Sequence, residues 1–243
     1  MTAKSSSEFD YIAANVFKIR EKIAQAAEKS GRKSEDIQLM AVTKTMPAQA
    51  VAAAFDSGIT LFGENRVQEL LEKLPQLDMT GRSAHIIGHL QSNKVKYIID
   101  KVDMIQSLDS LTLAQEINRL SEKAGKVMKV LVEVNIGREL SKSGVLPQEL
   151  DSFIENLKSF ENLKICGLMS IPPASTDKEK TRAYFAQIRK LFIDIAEKKS
   201  DNINMNILSM GMSSDFDIAI EEGSNLVRVG TLIFGKRIYG GGN

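Results

Sequence analysis

Leu39-Met-Ala-Val-Thr-Lys-Thr-Met-Pro47 is the stretch on which the reading of the fold turns. Leu39 to Val42 is an unbroken apolar run, the pattern of a strand buried on both faces, and such strands belong to parallel sheets covered by helices. The run then ends on Lys44, although a lysine is rarely buried without a partner. Two readings follow. Lys44 is a strand terminus whose ammonium snorkels into solvent, or it is an amine desolvated at the mouth of the fold, its pKa lowered until the neutral form can attack an aldehyde. Pro47 is then expected to start a covering helix, at a position that tolerates its missing N–H.

Outward from this stretch the same alternation repeats. The strand-like runs are Ile37 to Thr43, Thr60 to Gly63, His85 to Leu90, Met104 to Ser107, Val130 to Asn135, Ile165 to Ser170, Asn206 to Met210 and Leu226 to Phe234. Helical patterns lie between them, at Ala48 to Asp56, Arg66 to Leu74, Lys94 to Ile99, Leu111 to Ala124, Pro147 to Phe160, Lys178 to Lys198 and Phe216 to Glu222. A leading helix over about residues 8 to 30 carries Phe9, Ile12, Val16, Ile19 and Ile23 at three- and four-residue steps, and Gly31 ends it. Eight strand–helix units in 243 residues predict an α/β fold, a single (β/α)8 TIM barrel, better than an open sheet. No Gly-, Ser- or Pro-rich linker divides the chain and no solenoid repeat appears, so residues 1–243 are read as one domain.

Composition excludes several function classes. The 32 lysines and arginines against 31 acids leave a net charge of +1, so no global field draws the chain to nucleic acid or to an anionic membrane. Lysine runs such as Lys198-Lys199 and the alternating charges from Thr176 to Arg189 read as solvated helix faces. Cys166 is the only cysteine, which removes internal disulfides and zinc–thiolate clusters and fits a reducing, cytoplasmic setting. The N-terminus has no apolar signal region, and no segment approaches the roughly eighteen apolar residues of a membrane span.

A parallel barrel places its chemistry at the C-terminal ends of its strands. The residues closing the runs are Lys44, Glu64-Asn65-Arg66, His89 to Asn93, Asn135, Met169-Ser170, Ser209 to Asp215, and Arg228 to Thr231. Ser209-Met-Gly-Met-Ser-Ser-Asp215 joins small residues to a helix start, where free N–H groups and hydroxyls can hold an anion, and Gly230-Thr231 would come from the neighbouring strand. The alternative is that Ser213, Ser214 or Asp215 merely caps the helix. A phosphate site facing an amine points to a phosphorylated aldehyde, with pyridoxal 5′-phosphate the leading candidate. His85 reads as a hydrogen-bonded core residue, and His89, nearer the rim, as a candidate for a pocket role. No His/Cys/Asp cluster has metal-ligand spacing.

Six separated motifs then carry a resemblance over about residues 9 to 238. Ala41-Val-Thr-Lys-Thr45, Phe62-Gly-Glu-Asn-Arg-Val-Gln-Glu69, Ile87-Gly-His-Leu-Gln-Ser-Asn-Lys94, Gly167-Leu-Met-Ser170, Leu208-Ser-Met-Gly-Met-Ser-Ser-Asp215, and Val227-Arg-Val-Gly-Thr231 with Ile233-Phe-Gly235 resemble the pyridoxal phosphate homeostasis proteins, the YggS/PROSC family. The resemblance implies a barrel like the N-terminal domain of alanine racemase, a cofactor held as a lysine aldimine, and no established turnover. By motif, Lys44 would form the Schiff base, Ser209, Ser213, Gly230 and Thr231 would hold the phosphate, Arg228 would lie near the ring, and Asn65 and Met210 would line the pocket. Ala84 precedes His85 where family members often carry Trp, and the chain has no tryptophan.

The expected function is a carrier of pyridoxal phosphate that serves cofactor homeostasis and delivery to apoenzymes; a minimal racemase or lyase is the alternative. Racemisation needs a second acid/base, which in the racemases of this fold is a tyrosine from a separate domain and a neighbouring subunit. The chain ends at Tyr239-Gly-Gly-Gly-Asn243, so no such domain is expected, and Tyr11, Tyr97, Tyr184 and Tyr239 are assigned packing or surface roles. A monomer is expected.

Overall fold

Each of eight strands pairs in parallel with its successor, and the last pairs with the first to close a barrel. The computed structural model describes residues 8–198 and 201–235; Lys199 and Tyr239 lie outside them. The strands are β1 (Gln38–Val42), β2 (Leu61–Glu64), β3 (Ser83–Ile86), β4 (Met104–Leu108), β5 (Met128–Val134), β6 (Leu163–Ser170), β7 (Ile203–Ser209) and β8 (Leu226–Val229). The helices are α1 (Tyr11–Lys29), α2 (Ala48–Asp56), α3 (Val67–Lys73), α4 (Leu111–Lys123), α5 (Leu150–Leu157), α6 (Lys178–Ala196), α7 (Phe216–Glu221) and the single turn α8 (Thr231–Phe234). The TIM barrel expected from the alternation is the fold observed.

Helix α1 buries Ile12, Val16, Ile19, Ile23, Ala26 and Ala27, one stripe at helical spacing. It ends as expected: Gly31 takes φ +68°, its N–H donates to Glu28 O, and Arg32 N–H donates to Ala27 O, satisfying the last carbonyls. Pro47 stands one residue earlier than expected, as the cap before Ala48, with its carbonyl accepting from Ala50 and Val51.

Two strands end four or more residues before the expected boundary, while the other boundaries shift by three residues or fewer. The third strand runs Ser83–Ile86, not His85 to Leu90, because at Gly88 the chain passes so close to the Asn65 backbone that a Cβ would overlap it. The last strand stops at Val229, and Thr231–Phe234 winds into α8; a short apolar run cannot be assigned by periodicity alone. Tyr11 Oη and Asn15 Nδ2 on α1 donate to the Phe234 and Ile233 carbonyls and hold that turn. The expected helix at Lys94 to Ile99 is a 3-10 turn, Ser92–Tyr97. Ala84 is fully buried in the outer core, and its N–H donates to the Asp103 carboxylate.

The barrel interior is layered. Met40, Val42, Leu61, Ile87 and Leu226 form one apolar cluster inside it, and Met104, Leu131, Cys166 and Met169 another. Gly63 admits the Met40 thioether, which a Cβ would displace. Two residues further along their strands from Met104, Leu131 and Leu226 come Gln106, Glu133 and Arg228 on the same face, and Ser209 follows Ile207, which packs on both clusters, in the same way.

Register slips where β6 meets both neighbours, around Ile165 to Gly167, and a Cβ on Gly167 would overlap the Ile207 carbonyl oxygen. Backbone cannot yield as a side chain does. Gly167→Ala is therefore expected to lower unfolding free energy by about 3 kcal/mol, the top of the overpacking range. Gly125→Ala, at φ +63° with open space around it, should cost about 1–2 kcal/mol, and urea unfolding of the two variants checks the difference.

Candidate functional site

The C-terminal ends of β1, β2, β3, β6, β7 and β8 enclose a cavity of about 480 Å³. Its lining comes from the residues just past each strand: Lys44, Asn65, Ile87, Ile171, Met212 to Ser214, and Gly230 to Leu232, with Val42 and Arg228 from the strands themselves. A larger hollow, about 590 Å³, opens at the opposite end around Arg20, Glu35, Asp36 and the starts of β1 and β8. Its lining holds no lysine, cysteine or histidine, and barrel chemistry sits at the other rim.

Of the eight site residues expected, six line the smaller cavity: Lys44, Asn65, Ser213, Arg228, Gly230 and Thr231. Ser209 and Met210 do not. Met210 is fully buried among apolar side chains, and Ser209 is sealed behind Arg228 with its hydroxyl bonded on both sides. Met212, Ser214, Ile171 and Leu232 complete the wall instead.

Lys44 is half-buried and follows β1 directly. Thr43 N–H still donates to Gly63 O, so the ladder reaches the residue before it. Met46 N–H then donates to Thr43 O, closing a turn over Lys44 and Thr45. Thr45 occupies φ +65°, where glycine is usual and a β-branched residue is an outlier costing about 1–3 kcal/mol.

The part of the cavity contributed after β7 and β8 is made largely of small groups. Ser213 Oγ accepts from Leu232 N–H at 3.4 Å, joining the β7 loop to the start of α8. Gly211, at φ +91°, lets this loop pack on α7, since a Cβ there would overlap Ala219. Asp215 does not cap α7; its carboxylate turns back to accept from Met212 N–H at 2.7 Å, and burial raises its pKa.

Arg228 is the buried cation of the site. Nη1 donates to Ser209 Oγ (2.7 Å) and Nη2 to the Ser170 carbonyl (2.9 Å). Burial lowers its pKa to about 10, against the pull of Glu133 and Asp215, so it stays charged at neutral pH. Ser209 Oγ in turn donates to Gln106 Oε1 (2.7 Å), and Gln106 Nε2 lies 2.9 Å from His85 Nδ1. Burial, with Lys129 nearby, pushes His85 down to about 3, so the ring is neutral and its Nδ1 accepts. The chain from Arg228 through Ser209 and Gln106 to His85 thus runs in one direction, each group donating to the next. His85 is the buried, bonded histidine expected. His89 is exposed, outside the cavity wall, with Nδ1 near Asp109 Oδ2 (3.0 Å) and Ser143 Oγ (3.1 Å). Gln106 and Glu133 escape a strand-end search, because they lie within strands; their signal is their spacing of two from Met104 and Leu131.

Glu133 is raised to about 7 by burial and then by Asp109, with Arg228 and His89 opposing. The unfolded chain releases this proton near pH 4.5 and the folded protein near 7, so the group's contribution to stability falls as pH rises between those values. Glu133→Gln removes the charge and keeps the shape. It should leave stability unchanged below pH 4.5 and raise it by about 3 kcal/mol above pH 8, measured by chemical unfolding at both pH values.

Comparison with known proteins places this geometry. The alanine racemase N-terminal domain family matches residues 14–237. A pyridoxal phosphate homeostasis protein of Aquifex aeolicus is 42% identical over 91% of this chain and 96% of its own length, and one of Pseudomonas aeruginosa is 38% identical over 94% and 97%. The structure of PipY from Synechococcus elongatus with PLP bound is 33% identical, covers 92% of this chain and all of its own, and superposes with a TM-score of 0.81. The chain belongs to the pyridoxal phosphate homeostasis protein family, built on the alanine racemase N-terminal domain fold.

Proposed function

We propose that this barrel binds pyridoxal 5′-phosphate in the cavity at its mouth, holds it through Lys44, and serves intracellular cofactor homeostasis by delivering it to apoenzymes. The observation that carries this reading is the sharing of one cavity by an amine and a set of small, hydroxyl-bearing residues. Lys44 lies just past β1, and Ser213, Ser214, Gly230 and Thr231 lie just past β7 and β8, next to it around the barrel. At about 480 Å³ the cavity is of ordinary size for a small cofactor.

The residues present fit such a group. Ser213, Ser214 and Thr231 offer hydroxyls, and Leu232 N–H, held to Ser213 Oγ only at 3.4 Å, lies at the start of α8, a donor set suited to a phosphate. Asn65 Oδ1 is buried on the same wall without a hydrogen-bond partner among the described residues, as a polar atom reserved for a ligand would be. Bound there, the cofactor would supply an aldehyde carbon and an aromatic ring able to withdraw electrons. The neutral amine of Lys44 would attack that carbon and release water, reversibly. Arg228, charged at neutral pH, makes a second positive charge on its side of the cavity costly and would disfavour protonation of a ring nitrogen bound beside it, which suits storage better than electron withdrawal.

Carriage without turnover is the reading supported for the chemistry. Racemisation moves protons on two faces of the bound ring and so needs two acid/base groups. Among the described lining residues Lys44 is the side chain suited to that work; Tyr11 bonds a carbonyl of α8, Tyr97 is exposed beside Lys94 and Lys96, and Tyr184 packs on the core. Among the described residues no helix is long and apolar enough to cross a membrane, and no three His, Cys, Asp or Glu side chains gather to hold a metal. The reading extends to one cofactor-binding domain acting as a monomer in a reducing cytoplasm, with no nucleic-acid partner.

Borohydride reduction of the loaded protein should fix the cofactor's mass on the Lys44 peptide, and Lys44→Ala should abolish that adduct while the protein stays folded. A folded wild-type protein with no adduct refutes the assignment. For the carrier role, loaded protein should activate a pyridoxal phosphate-dependent apoenzyme and show no α-deuterium exchange on amino acids beyond that of Lys44→Ala; exchange above that level makes the protein an enzyme.

A further inference from the structure

The residues flanking Lys44 are held by a group of charges that lies outside the cavity. Lys73, at the end of α3, is buried and points its Nζ at three acceptors: the Thr43 carbonyl (2.7 Å), Glu64 Oε1, and Glu69 Oε2 (3.5 Å). Glu64, at the end of β2, is fully buried and also accepts from Thr43 Oγ1 at 2.6 Å. Glu69 Oε2, one turn before Lys73 on α3, accepts from Thr45 N–H at 2.6 Å. So the peptide unit before Lys44 is gripped through its oxygen, and the one after it through its nitrogen.

We infer that Lys73, Glu64 and Glu69 are positioning residues for Lys44, a clamp from β2 and α3 that fixes the turn from which its amine enters the cavity. This rests on the reading of Lys44 as the cofactor-binding amine.

Three features single the clamp out from an ordinary surface ion pair. Burying a lysine and a glutamate together demands full hydrogen bonding, and Lys73 meets that demand by using the Thr43 carbonyl, which already accepts from Met46 N–H. The turn it holds carries Thr45 at positive φ, a conformation that persists only where its surroundings over-determine it. None of the three clamp residues is in the cavity lining, so they reach the amine through the backbone that carries it. Glu64 remains short of one partner, since Oε2 is buried with none among the described residues, and burial raises its pKa despite Lys73. That leaves Lys73 as the group holding the cluster together.

The test separates holding the cofactor from capturing it. Pyridoxine 5′-phosphate has the ring and phosphate but an alcohol in place of the aldehyde, so its affinity reports the cavity without Lys44 chemistry. Glu69→Ala removes the anchor at Thr45 from a partly exposed helix face and leaves the buried pair intact. It should slow the capture of pyridoxal phosphate roughly tenfold, by stopped-flow absorbance, while affinity for the analogue stays within about twofold. Glu69→Gln keeps an acceptor oxygen and should restore the rate. Lys73→Met should slow capture further, and if it does not fold, Lys73→Met with Glu64→Gln removes both buried charges together. Capture at the wild-type rate in Glu69→Ala, or equal losses of capture and of analogue affinity, overturns the clamp. Failure of the wild-type protein to form any adduct at Lys44 overturns the cofactor assignment instead.

Discussion

The site exists because β1 and β8 pair. Gln38 stands against Leu226, Leu39 against Val227, Met40 against Arg228 and Ala41 against Val229, residues from opposite ends of the chain. This register puts the turn after β1 beside the turn after β8, and so brings Lys44 within one cavity of Gly230 and Thr231. In an open sheet the first and last strands would be its edges and these groups would never meet. Parallel pairing adds the second half of the constraint, since every strand then ends at the same rim.

Closure also creates an interior that must be filled, and this chain fills part of it with polar groups. A guanidinium in such a place is tolerable only when its N–H groups are bonded, and the Ser170 carbonyl and the Ser209 hydroxyl answer it. Ser209 can accept from Arg228 because it donates onward to Gln106, and Gln106 can receive that proton because its amide N–H₂ turns to a neutral histidine. A protonated His85 would reverse the last bond and break the sequence. Burial of His85 therefore serves the orientation of an arginine three hydrogen bonds away, a division of labour in which one polar side chain reaches the cavity and the rest hold it.

The strands, the alternation and the residue that ends β1 were legible because they are local: a continuous apolar run, a break, a helical stripe. Ala48–Asp56 could be read to the residue from its alanines and the proline before it. The cavity residues contributed by loops were legible for a different reason, since small and polar residues after an apolar run have few other uses. What escaped was set by tertiary packing. Thr231 to Phe234 looks like the continuation of a strand until α1 supplies donors for the last carbonyls of its single turn. Ser209 and Met210 sit beside the motif that lines the cavity, yet the strand's alternation turns one inward behind Arg228 and the other outward into the core. Gln106 and Glu133 carried only their spacing as a signal and Lys73 none, because a polar side chain within an apolar strand or at a helix end does not say what faces it.

The apolar floor of the barrel has a consequence for traffic. Met40, Val42, Leu61, Ile87 and Leu226 fill the interior between the Lys44 cavity and the hollow at the opposite end. A barrel stoppered at its waist has one door. In a carrier, the molecule that enters last must leave before anything else can be loaded, and it must leave past the same loops that admitted it. Direct transfer to a recipient enzyme would take place at the rim formed after β1, β7 and β8, away from the strand-start end of the molecule.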